Sequence, residues 1–259
     1  VAILIWGCVF CAIAALCIFL SSNYDREKRR YLILMESFAS LLLLMDAMAH
    51  IFSGYPGVPG NVMVRISSFL VFLLSDVVLL CFHIYVCVYL FSKRERRTLK
   101  RVKAGYVIAA AGVAFVVISQ FTHWYYYIDG DNCYHRAPLY IMSILLSAAG
   151  LLIDLTLLLQ YKKRVSRKLL FSMLSCIVLP AVAAAVQAFW YGISLIEFAV
   201  GISMIIMFIV TMTELNQEMY ELISREGKIK ERLEIATILN KCIAELISGE
   251  DEDAAISNL

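Results

Sequence analysis

Residues 62–91 read VMVRISSFLVFLLSDVVLLCFHIYVCVYLF, and residues 92–103, which follow them, read SKRERRTLKRVK. A bilayer's hydrocarbon core, about 30 Å thick, takes about 20 apolar residues per helical crossing, so the first stretch is long enough to span. Its continuous runs, VVLLCF among them, do not alternate as the short strands of a closed barrel must, which leaves a helix as the spanning solution. The second stretch carries Lys93, Arg94, Arg96, Arg97, Lys100, Arg101 and Lys103 and marks the cytoplasmic side by the positive-inside rule. Within the first, Arg65, Asp76 and His83 fall at steps of eleven and seven, on one stripe of the helix.

Six further apolar segments lie at 1–21, 31–52, 104–121, 138–160, 169–191 and 193–213, with runs such as LLLLM and SMIIMFIV. The composition agrees: of 259 residues 61% are hydrophobic and 17% charged, with a mean hydropathy of +0.78, where a soluble domain carries about 25% charge. The expected fold class is all-α, a seven-transmembrane helix bundle over 1–213. Arg26, Lys28, Arg29 and Arg30 follow the first segment, and Lys162, Lys163, Arg164, Arg167 and Lys168 follow the fifth. The alternate loops hold almost no basic residues, so the N-terminus is expected outside and the C-terminus in the cytoplasm. The first segment lacks the basic leader of a signal peptide. It opens on Val rather than Met, so residues are expected upstream. A net charge of +2 speaks against a nucleic-acid partner. No three-helix repeat is visible, which speaks against a transporter made of duplicated halves.

Of eight cysteines, Cys8, Cys11, Cys17, Cys81, Cys87 and Cys176 lie in apolar runs and read as small hydrophobes. Cys133 and Cys242 fall on opposite sides of the membrane and cannot pair. No zinc spacing, phosphate-binding loop, HExxH or serine-hydrolase order occurs, and no spanning segment holds a lysine for a retinal Schiff base, so no catalytic residue, metal or cofactor is expected.

An ionisable residue at a helix centre costs about 2.5–3.5 kcal/mol on insertion scales, so each needs a partner or a role. The outer half of the bundle collects Asp46, His50, Arg65, Gln187 and Glu197, with Asp76 near the middle and Asp154 in the inner half. One reading is a ligand pocket in which Arg65 meets a ligand carboxylate. The other is that Arg65 pairs with Asp46 or Glu197 and ties helices together. The external loop THWYYYIDGDNCYHRAP (122–138) adds Trp124, His135 and Arg136 as lid residues, and Trp190 lies at the end of the sixth segment. Trp124 to Tyr127 also fit an interfacial aromatic belt. The IDGDN turn is only weakly calcium-like, lacking the remaining ligands.

The tail continues a stripe at alternating four- and three-residue spacings: Leu215, Met219, Leu222, Glu226, Ile229, Leu233, Ala236, Asn240 and on to Ile247. This is the seam of a parallel coiled coil over 214–247, with Glu226 and Asn240 as polar register positions; a solitary amphipathic helix is the alternative. Ser248, Gly249 and the acidic run 250–253 are expected to break it.

The stretches WYYYIDGDNCYHRAPLY (124–140), SCIVLPAVAAAVQAFWYGISLIEFAVGISMIIMF (175–208) and ERLEIATILNKCIAELISGED (231–251) together resemble the seven-helix N-terminal sensor modules of bacterial membrane signalling proteins, chiefly diguanylate cyclases and histidine kinases. The resemblance covers most of 31–250. It implies a bacterial cytoplasmic-membrane receptor that senses a small ligand, external or membrane-borne. It implies a homodimer through the tail, relaying the signal to an output domain, of GGDEF diguanylate cyclase or kinase type, beyond this sequence. Residues 248–259 would be the start of a truncated output domain, GAF-like or similar. A transporter using the intramembrane carboxylates is the rival reading. A eukaryotic-type G-protein-coupled receptor is disfavoured because DRY, NPxxY and the external cysteine pair are missing.

Overall fold

The computed structural model describes residues 1–21, 25–189 and 194–256, with side chains at all of these except 188, 189, 238, 239 and 241–256. Seven helices are long and apolar enough to cross a membrane, so the chain is a helical, multi-pass membrane protein by length and composition. In chain order the elements are α1 (Ala2–Leu20), α2 (Arg26–Phe52), α3 (Gly57–Leu90), a short α4 (Lys93–Thr98) and α5 (Lys100–Thr122). Strands β1 (Tyr126–Ile128) and β2 (Tyr134–Arg136) follow, then α6 (Tyr140–Gln160), α7 (Arg167–Phe189) and α8 (Leu195–Ile256).

The helix ends follow capping chemistry rather than hydropathy, which moves several boundaries from their sequence-based positions. α2 starts at Arg26 instead of 31 because the Asp25 carboxylate accepts from the backbone N–H groups of Glu27 and Lys28, at 3.0 and 3.2 Å. α3 starts at Gly57 instead of 62, with Pro56 as its cap residue. After α3, the basic stretch that reads as a plain loop folds into α4, where Ser92 and Glu95 form a reciprocal capping box.

α2 packs on α1 and α3, α3 on α5 and α6, α5 on α6, and α6 on α7. Trp6, Phe10, Ile13 and Phe19 of α1 are turned away from this packing and stay exposed, the kind of surface that lipid solvates. On the facing side Leu32, Met35, Ala39 and Leu43 of α2 are buried.

The α5–α6 connection departs from the all-α expectation. Tyr126 pairs with Arg136, Tyr127 with His135 and Ile128 with Tyr134 in an antiparallel hairpin. Aromatic and branched residues favour extended backbone, and the DGDN turn closes it. Asp129 Oδ1 accepts from the N–H groups of Asp131 (3.0 Å) and Cys133 (2.8 Å), while Asn132 takes a left-handed φ of 61°. The aromatic run divides: Trp124 and Tyr127 are exposed, whereas Tyr125 and Tyr126 are buried against Val116 of α5 and Phe69 and Phe72 of α3.

The chain divides into two units, Val1–Thr211 and Met212–Leu259. In the second, α8 continues as helix through Ser248 and Gly249 to Ile256. A single Gly costs a helix only about 1 kcal/mol, and no proline follows to stop it. Leu222, Glu226, Ile229, Leu233, Ala236 and Asn240 are all exposed there, as is Met219. The side chains of Cys242, Ile243 and Ile247 lie outside the described residues.

Candidate functional site

A cavity of about 850 Å³ occupies the middle of the first unit, lined by α2, α3, α5, α6, α7 and the start of α8, with the hairpin closing one end. Its size falls within the range of small-molecule sites. Most of the wall is apolar, with Phe72, Leu79, Val116, Leu151, Ile177 and Met204 among its residues.

Polar groups gather at the hairpin end. Asp46 and His50 are one turn apart on α2, with His50 Nε2 3.7 Å from Asp46 Oδ1 and 2.7 Å from the Ser194 hydroxyl just ahead of α8. Gln187 of α7 spans to α8, its side-chain oxygen accepting from the Ile196 N–H at 2.9 Å. Arg136, at the end of β2, donates to the Gln187 carbonyl at 3.1 Å, and its guanidinium lies 4.5 Å from the centre of the Tyr140 ring. Glu197, in the first turn of α8, is 9% exposed, and Asp46 5%. Asp46 Oδ2 and Glu197 Oε2 are buried without a hydrogen-bond partner among the described residues.

Asp76 lines the same cavity farther from the hairpin. It faces Gly112, where an added Cβ would meet its carboxylate at 2.8 Å. Asp76 lies one helical turn beyond Phe72, whose ring stacks on Tyr126 of β1 with 5.2 Å between centroids.

The hairpin is anchored through Asn132. Its amide donates to the carbonyls of Tyr55 (2.8 Å) and Gly57 (3.2 Å), its side-chain oxygen accepts from Asn61 at 2.7 Å, and its carbonyl accepts from the Gly54 N–H at 3.1 Å. The lid is thereby tied to the α2–α3 turn. His135 Nε2 sits 2.7 Å from Asp129 Oδ2 and the ring stacks on Tyr127, so His135 organises the hairpin rather than the cavity wall. The Asp129 carboxyl is held below its ordinary value, chiefly by the Cys133 N–H and then by His135. Burial pushes the phenols of Tyr125 and Tyr126 up.

Of the residues singled out from sequence, Asp46, His50, Asp76, Arg136, Gln187 and Glu197 converge on the cavity. Arg65 does not line it; it is exposed and forms an ion pair with neither Asp46 nor Glu197, so neither of the two roles expected for it is seen. Trp124 packs on Phe115 outside the cavity lining, and Trp190 lies outside the described residues. Sequence reasoning did not single out Tyr140, Ser194 or Asn132. The signal for Ser194 was its place just ahead of an apolar helix, and for Asn132 its place in a turn.

A second polar cluster lies beyond Asp76 on the same stripe of α3. His83 and Asp154 are both buried and meet at 2.6 Å, while His83 Nε2 is 3.0 Å from the Val102 carbonyl. Gly105 leaves room for the imidazole. Among the described residues no group of side chains is arranged to hold a metal ion. The chain matches no protein-family model and no curated protein sequence.

Proposed function

We propose that the chain is the sensor part of a bacterial transmembrane signalling protein: a receptor that binds a small ligand in the hairpin-capped cavity. The single observation that carries this reading is that cavity. It is apolar through most of its wall and has convergent polar groups at one end, one of which, Glu197, sits on the helix that continues into the second unit. In this proposal the hairpin faces outward and the basic loops face the cytoplasm, in keeping with the distribution of Lys and Arg. The exposed apolar positions Leu222, Ile229 and Leu233 form the seam of a parallel homodimer. A change in register or rotation of that seam passes the signal to an output domain of diguanylate cyclase or histidine kinase type.

Single cysteines at Leu222 and Leu233 test the relay. In native membranes both are expected to give disulfide-linked dimers, and failure of both removes the coupling scheme. The competing function is transport. Proton flux through the reconstituted protein, lost in Asp76→Asn, would replace the receptor reading.

A further inference from the structure

The charged groups around the cavity are unequal in number and in commitment. Asp46, Asp76 and Glu197 line it as carboxylates, against the single guanidinium of Arg136. Arg136 is engaged already, through the Gln187 carbonyl and the Tyr140 ring. The carboxylates are not saturated: Asp46 Oδ2 and Glu197 Oε2, on side chains more than nine-tenths buried, have no partner among the described residues. An ionised carboxylate only accepts hydrogen bonds, and leaving one unmet in a buried site is costly. The Ser194 hydroxyl, 2.7 Å from His50 Nε2, also reaches the Asp46 carboxyl, yet Asp46 Oδ2 itself stays without a partner among the described residues.

From this we infer that the cavity takes an organic amine, its ammonium group held between Asp46 and Glu197 and its apolar body lying along α3, α6 and α7. The inference rests on the reading of the cavity as a ligand site. An ammonium brings three donors and one positive charge to the place where acceptors are in surplus. An anionic ligand would meet three carboxylates and only one committed cation. Below the polar end, Leu151, Ile177 and Met204 offer surface for a hydrocarbon body, and among the cavity-lining residues no lysine or second arginine joins Arg136, while His50 is already set against Asp46 and Ser194. This reverses the charge that Arg65 suggested from sequence, because Arg65 does not reach the cavity.

The test uses the whole chain in nanodiscs with three probes of one shape, n-octylamine, n-octanol and octanoate, and with empty nanodiscs to subtract partitioning. At neutral pH octylamine is expected to bind at least tenfold more tightly than either of the others. Asp46→Asn and Glu197→Gln, which keep side-chain volume, are each expected to reduce that binding at least tenfold. A preference for octanol or octanoate, or no binding of octylamine above the empty discs, overturns the inference. Full octylamine affinity in both variants overturns it too. If both variants fail to fold, the ranking of the three probes on the unaltered chain still decides. Crosslinking at Leu222 and Leu233 is read separately. Dimers without amine preference leave the receptor standing and remove the amine, whereas amine binding without dimers keeps the site and removes the relay.

Discussion

His83 Nδ1 lies 2.6 Å from Asp154 Oδ1, joining α3 to α6, while Nε2 of the same ring reaches the Val102 carbonyl of α5 at 3.0 Å. A carbonyl can only accept, so Nε2 carries a proton, and the pair holds a further proton between Nδ1 and the carboxyl. One imidazole thus ties three helices together through groups that have no solvent to fall back on.

Removing one partner of this pair should therefore cost far more than removing both. His83→Ala strands the Asp154 carboxylate, whose second oxygen already has no partner among the described residues, and a loss of about 3–5 kcal/mol is expected. The double variant His83→Ala/Asp154→Leu should recover most of it. Thermal unfolding of four proteins in one detergent, the parent, His83→Ala, Asp154→Leu and the double variant, gives the coupling; an additive double variant would remove the pair's assigned role.

Two glycines set the α3–α5 distance. Gly105 faces His83 and Gly112 faces Asp76, each seven residues from the other on its own helix. Gly105→Ala places a methyl in the imidazole and should destabilise by about 1–3 kcal/mol. Gly112→Ala should cost less, because Asp76 faces the cavity and can swing. Gly227→Ala, with open space around it, should stabilise its helix by about 0.5–1 kcal/mol. Denaturation midpoints rank the three.

Asn132 holds the hairpin down by two side-chain donations and one acceptance. Asn132→Ala loses these and also puts a non-glycine, non-Asn residue at a φ of 61°, so about 1–3 kcal/mol of local stability should go. Hydrogen exchange of the 124–138 amides should accelerate, and Asn132→Gly should fall between the two because it keeps the backbone conformation. Equal exchange in Asn132→Ala and the parent would show that the hairpin is held otherwise.

The hairpin turn should also respond to acid. With the Asp129 carboxyl held below its ordinary value by the Cys133 N–H and His135, its contribution is complete above about pH 4, the unfolded carboxylate value. It is lost as pH falls further, through the folded value. Asp129→Asn should abolish this acid step in the exchange of Asp131 and Cys133 amides while leaving their exchange near pH 7 slower than in an unfolded peptide.

Orientation can be read with a membrane-impermeant maleimide. In a Cys133→Ser/Cys242→Ser background, Gly130→Cys, which has open space around it, should label in intact cells. Lys163→Cys should label only after permeabilisation. The opposite pattern would invert the proposed topology.

The helices were legible because spanning a bilayer is a demand on composition: thirty residues such as 62–91 meet it whatever they touch. Their ends were less so, since Asp25 and Ser92 act through single hydrogen bonds that hydropathy does not register. The hairpin was missed as a strand pair because three-residue strands are too short to show a period, and its stability comes from burying Tyr125 and Tyr126 on α3 and α5.

By itself, the sequence determined a helical chain with seven apolar segments long enough to cross a membrane, and it identified which polar residues would need partners there. Which partners they found was decided by tertiary structure. Arg65 lies seven residues from Phe72, nearly in line along α3, yet Phe72 lines the cavity and Arg65 is exposed. His83 met Asp154, 71 residues away, and Asp46 and Glu197, 151 residues apart, came to one cavity. Helical periodicity fixes the face a side chain occupies, but the neighbour on that face depends on how separate helices pack, and that information lies in long-range contacts rather than in any local run of residues.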